Sequence, residues 1–181
     1  MHRTLKKLYR DHAHFNRLMD ILERQLEDLG RAGEPVSALL TDLIAYVGDY
    51  VDTFHHPIED QLYQIMLART DNGREHMEKL LGDHLVITNM TRELRKTLAA
   101  LEENRGSHWN VAQAMGRELV KQQRDHILLE ENNAFPLLRD ELAPEDFDNA
   151  TRAIPAIEDP LLDTDMQGRY PALFECLKQD K

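Results

Sequence analysis

The chemistry this sequence can do rests on six residues: His12, His55, Glu59, His84, His126 and Glu130. Two pairs share one spacing. His55 precedes Glu59 within "TFHHPIEDQLY", and His126 precedes Glu130 within "DHILLEENNAFPLL", each by four residues. On a helix that spacing stacks an imidazole and a carboxylate on one face. Neutral imidazole and carboxylate oxygen are donors that suit iron, manganese or zinc. Each glutamate can bridge two ions, so the set implies a two-metal centre. Coordination positions would remain for water, dioxygen, peroxide or nitric oxide.

Such a centre needs elements that bring distant residues together. "GRAGEP" (30–35), "TDNG" (70–73) and "NRGS" (104–107) break the chain into four long segments. Apolar residues recur three and four apart in each. Leu5, Leu8, Phe15, Met19, Leu22 and Leu26 mark the first segment, and Leu40, Ile44, Val47, Val51, Ile58 and Leu62 the second. Met77, Leu80, Ile87, Leu94 and Leu98 mark the third, and Ala112, Met115, Leu119 and Leu137 the fourth. Short breaks between long amphipathic helices predict an all-α fold, an up-down-up-down four-helix bundle over residues 1–143. A C-terminal helical extension, 144–181, follows: "APEDFDNATRAI" opens a helix at Pro144, "PAIEDP" is a linker, and "YPALFECLK" reads as a final short helix.

Helical phase then selects the inward histidines. At about 100° per residue, His12 falls inside the stripe of Leu8, Phe15 and Met19, and His84 among Met77, Leu80 and Leu81. His126 and Glu130 follow the line of Leu119 and Leu137. His55 and Glu59 lie at the edge of their stripe, while His56 and Asp60 phase to the solvent side. Pro57 deletes the bond to the Thr53 carbonyl and predicts a kink there. Register agrees with phase. The midpoint of 12 and 55 falls near residue 33, that of 55 and 84 near 70, and that of 84 and 126 at 105. All three lie in the predicted turns, so the four histidines share one layer.

Taken singly, a His-x-x-x-Glu pair is ordinarily a surface ion pair, and a core histidine ordinarily bonds a carbonyl. Together, four imidazoles and two carboxylates in an apolar interior are too costly without a compensating cation. His2, His14, His56, His76 and His108 are read as surface residues, with Asp60 and Glu131 as solvated partners of the inward glutamates. Asn16, Thr88, Thr91 and Gln123 are candidates for supporting polar contacts. Tyr9, Tyr50 and Tyr63 are candidates to approach the layer, with core packing the expected role.

Composition removes several classes. A net charge of −11 over 181 residues gives no basic face for nucleic acid or an anionic membrane. No apolar run approaches the roughly 20 residues that span a bilayer. The single cysteine, Cys176, excludes an intramolecular disulfide framework and a cysteine-cluster metal site. The start, "MHRTLKKLYRDH", has no apolar stretch of a secretory signal, so a cytoplasmic location is expected.

The histidine on the first segment, the His-x-x-x-Glu of the second, the histidine of the third and the His-x-x-x-Glu of the fourth resemble the hemerythrin-like, HHE cation-binding family. "FHHPIEDQLY" and "HILLEENNAFPLL" look like its two signature phrases, and "EDPLL" with "YPALF" like its usual tail. The resemblance implies a non-haem di-iron site, oxo- or hydroxo-bridged, held by His12, His55, Glu59, His84, His126 and Glu130, with manganese or zinc as possible substitutes. It implies a partner that is a small diatomic molecule, O2 or NO, or peroxide; the sequence leaves monomer and homodimer both open. Enzymatic use of the same centre, as an oxidase, peroxidase or NO reductase, is the alternative, together with an iron donor for stress repair of iron–sulfur centres. Oxygen-carrying hemerythrins place two histidines a turn apart on the third helix. Here the residues at that spacing from His84 are Leu80 and Thr88, so the sequence reads as lacking a fifth histidine. A more symmetric, more open centre is expected, rather than a reversible carrier.

Overall fold

The computed structural model describes residues 1–30, 36–103, 109–152, 154 and 166–179, which form helices and no strand. In chain order these are α1 (Arg3–Asp28), α2 (Ala38–Tyr46), a π-helical stretch πA (Val47–His55), α3 (His56–Leu67), α4 (Arg74–Glu103) and α5 (Trp109–Leu129). A second π stretch, πB (Glu130–Ala134), then leads into α6 (Phe135–Glu141), α7 (Pro144–Arg152), α8 (Met166–Arg169) and α9 (Pro171–Gln179). Two of the four long segments are thus continuous helical runs interrupted by wide turns. The "TDNG" turn is present, with Gly73 at φ 73°, a left-handed backbone that favours glycine. A Cβ there would also stand 2.3 Å from Leu137 Cδ1. Most of "GRAGEP", all of "NRGS" and the "PAIEDP" linker lie outside the described residues.

Local chemistry explains the helix starts. Ser37 Oγ accepts the Leu40 N–H at 3.1 Å, and Asp146 accepts the Ala143 N–H at 2.8 Å. α1 packs on α2 and α5, and α4 packs on α2, πA, α3, α5 and πB, so the runs enclose one interior. Gly116 lets α5 approach α1 closely, since a Cβ there would meet Leu26 Cδ1 at 2.5 Å. The C-terminal helices are tied down by polar contacts. A bidentate Arg69–Asp146 ion pair joins the turn after α3 to α7. Asp42 of α2 accepts the N–H groups of Ala172 and Leu173, at 2.7 and 3.2 Å, at the start of α9.

The interior is two apolar clusters with a polar layer between them. One contains Leu5, Leu8, Ile58, Leu62, Met77, Leu80, Ala134 and Phe135; the other contains Phe15, Met19, Val51, Ile87, Leu119, Val120 and Ile127. Each run therefore changes cluster at the place where its histidine stands: His12, His55, His84 and His126, all buried.

Candidate metal centre

All six residues selected from the sequence meet in this layer, and none is more than 4% exposed. Glu59 Oε1 lies 3.1 Å from His55 Nε2 and 3.4 Å from His12 Nε2, while its Oε2 is 3.5 Å from His84 Nε2. Glu130 mirrors it. Its Oε2 is 3.2 Å from His12 Nε2, and its Oε1 is 3.1 Å from His126 Nε2 and 3.6 Å from His84 Nε2. Each carboxylate thus turns one oxygen to a His12 and His55 side and the other to a His84 and His126 side.

The donor set passes a test for shared cations. His12 Nε2, both Glu59 oxygens and Glu130 Oε2 are buried without a hydrogen-bond partner among the described residues, although opposite charges stand within ion-pair distance. Convergent lone pairs that miss hydrogen-bond geometry are what an ion between them requires. His84 Nε2 and His126 Nε2 are 2.9 Å apart. Two nitrogens on one ion, each at about 2.0–2.1 Å and at right angles, stand about 3 Å apart. The residues fit a pair of metal ions.

Outside the donors, carboxylates sit behind the rings. Glu131 is 3.1 Å from His12 Nδ1, Asp11 3.3 Å from His55 Nδ1 and Asp60 2.6 Å from His84 Nδ1, with Asp83 farther, 3.8 Å from His126 Nδ1. Such contacts fix the tautomer and aim Nε2 inward. The expectation that Asp60 and Glu131 partner the glutamates is corrected, since both face histidines. Asp11 and its network were not anticipated. Lys7 Nζ stands 2.6 Å from both Asp11 Oδ2 and Tyr50 Oη, so an ammonium compensates the carboxylate that holds His55. Tyr63 Oη donates to Glu130 Oε1 at 2.7 Å, so Tyr50 and Tyr63 serve the site rather than packing alone. Gln123 and Thr91 are buried in the interior.

The solvent-facing assignment of His56 is overturned: it is 2% exposed. The cause is πA. The His56 N–H bonds the Val51 carbonyl five residues back, and the Phe135 N–H likewise bonds the Glu130 carbonyl. A π turn inserts a residue relative to the α period, so phase counted at 100° per residue fails beyond it. Both wide turns precede a proline at the second position of the next α segment, Pro57 and Pro136. Proline cannot bond the carbonyl four residues back. The local answer is a widened turn in place of the predicted kink. His2, His14 and His76 are partly exposed, as expected of surface residues, and His108 lies outside the described residues.

In the metal-free chain, protons take the place of cations. Burial opposes charging His12, yet the facing carboxylates of Glu130, Glu131 and Glu59 hold its pKa well above the ordinary value. Burial likewise opposes His84, but Asp60, Glu130 and Glu59 push it up to about 10. His55 and His126 are raised by their carboxylates against the same burial. Metal coordination needs the neutral ring, so uptake at pH 7 expels protons and affinity rises with pH. Calorimetry of zinc uptake in two buffers of different protonation enthalpy should record release of more than one proton per chain. Uptake with no proton release would show that the rings were already neutral.

Among the described residues no helix is long and apolar enough to cross a membrane. No curated relative and no solved structure matched the chain. The family model of the hemerythrin HHE cation binding domain matches residues 3–138, which span every residue of the layer. The chain belongs to the hemerythrin HHE cation-binding family.

Proposed function

We propose that this protein carries a non-haem di-iron centre that binds or senses a small ligand, O2, NO or peroxide. The observation that carries the reading is the two-sided geometry of Glu59 and Glu130, each placing one oxygen toward either histidine pair. His12 and His55 would hold one ion, His84 and His126 the other, with both carboxylates shared. When bound, iron supplies a site for the diatomic molecule or peroxide and the electrons to reduce it. The chain supplies the rest. Asp11, Asp60, Asp83 and Glu131 aim the rings, Tyr63 holds one oxygen of Glu130, and the two apolar clusters keep bulk water from the layer. An up-down-up-down order for the four helical runs belongs to the same reading, supported by the tight Thr70–Gly73 turn and by histidines from all runs meeting in one layer.

Anaerobic reconstitution with ferrous iron tests this directly. Uptake should saturate at about two ions per chain, and nitric oxide added under the same conditions should change the visible spectrum in proportion to bound iron. Saturation at one ion or none removes the di-iron reading. Two ions whose spectrum is indifferent to NO, O2 and peroxide would leave an iron store or donor.

A further inference from the structure

We propose that His56 is a fifth imidazole donor, so that one ion is held by three rings (His56, His84 and His126) and the other by two (His12 and His55). The inference rests on the two-metal reading and concerns a residue that the paired His-x-x-x-Glu pattern leaves out.

Three observations carry it. A ring nitrogen of His56 and donor atoms of Glu59, His84 and His126 all lie within 4.8 Å of one another. The His56 ring also stacks on His84, with centroids 4.1 Å apart and planes 18° from parallel, which presents two imidazoles side by side to the same carboxylate. Second, neither ring nitrogen of His56 has a hydrogen-bond partner among the described residues, although the side chain is buried. A histidine placed in a core for packing alone would ordinarily bond a carbonyl or a hydroxyl. Third, Asp52 Oδ1 stands 3.4 Å from His56 Nδ1, one helical turn away. The four rings already assigned each have a carboxylate on the Nδ1 side. His56 repeats the arrangement, with Nδ1 toward the acid and Nε2 left for the interior, as metal-bound histidines are supported.

The backbone agrees. In an unbroken α-helix, adjacent residues diverge by about 100° and only one of His55 and His56 could enter the layer. The wide turn of πA ends at this pair and lets both enter, His55 beside His12 and His56 beside His84. The result is an asymmetric centre, three rings against two, in place of the symmetric one expected from the sequence.

The test is anaerobic titration of the full-length chain with cobalt(II), whose visible absorption reports coordination number. Wild type, His56→Ala, His55→Ala, Asp52→Asn and the surface control His14→Ala are compared, with helicity followed by circular dichroism. Wild type and His14→Ala should bind two ions. His56→Ala should keep one ion and bind the other at least a hundredfold more weakly, with altered band intensities for that ion. His55→Ala should weaken the opposite ion. Asp52→Asn keeps the ring and removes only its carboxylate, so it should weaken the His56-side ion about 10–100-fold. Two ions bound by His56→Ala with unchanged affinity and spectrum would overturn the inference and leave the two-metal reading standing. No uptake by wild type would instead remove the two-metal reading, and the inference with it. Should His56→Ala fail to fold, Asp52→Asn decides: unchanged affinity there overturns the proposal.

Discussion

Replacing Glu59 by glutamine is expected to release both metal ions at once. Glu59 is the only carboxylate in both groups of convergent donors among the described residues, one with His12 and His55, the other with His56, His84 and His126. Its two oxygens face opposite sides, at 3.1 Å from His55 Nε2 and 3.5 Å from His84 Nε2. The glutamine keeps the volume and most of the packing, but removes the shared negative charge and offers an N–H where a lone pair is needed. Removing one member of a buried charged set costs roughly 3–5 kcal/mol, more than two decades in affinity. Glu131→Gln sets the scale for a supporting residue, because Glu131 stands behind His12 Nδ1 and not among the convergent donors, and its loss should weaken one ion about 10–100-fold. Metal content after reconstitution and gel filtration reads both. Loss of a single ion from the Glu59 variant would show a terminal ligand, and the two-sided reading of its oxygens would fall.

The legible part of this site is the part that obeys one period. His12, His84 and His126 stand on uninterrupted α-helix, where counting 100° per residue places them correctly, and Glu130 follows His126 by a single turn. Register was read from three turns, and the one that is fully described, "TDNG", lies where His55 and His84 require it. His56 was not legible by that rule, because πA changes the residues per turn just before it. The signal lay in the sequence nonetheless. "HHP" and "AFP" each place a proline inside an otherwise helical run, and a proline there demands some relief of the lost bond. A kink and a wide turn are both solutions, and phase alone does not choose between them. Asp11 was missed for a different reason. It neighbours His12 and lies off the apolar stripe, yet it is wholly buried because it reaches across to His55 on another run. Only Lys7, four residues before it on the same face, hinted that a charge there needed a partner.

Chelation should lower the melting temperature, and return of iron should restore it. Without cations His12 Nε2, both Glu59 oxygens and Glu130 Oε2 lack hydrogen bonds among the described residues, a cost that folding must carry. An ion present at a thousand times its Kd adds about 4 kcal/mol to stability, and in a chain of this size that is roughly 8–16 °C. The effect should grow with pH, and the sign follows from the rings. Their folded pKa values are raised, so in the metal-free chain their protonated pairing with Glu59, Glu130 and Asp60 stabilises fully below about 6.5. That contribution is lost as pH rises through the folded values, about 10 for His84. Metal binding strengthens over the same interval as its proton competitors leave. The difference between loaded and chelated melting temperatures should therefore be larger at pH 8 than at pH 6. Equal melting temperatures at both would mean that the histidine layer is held by protons alone, and that iron adds nothing to the fold.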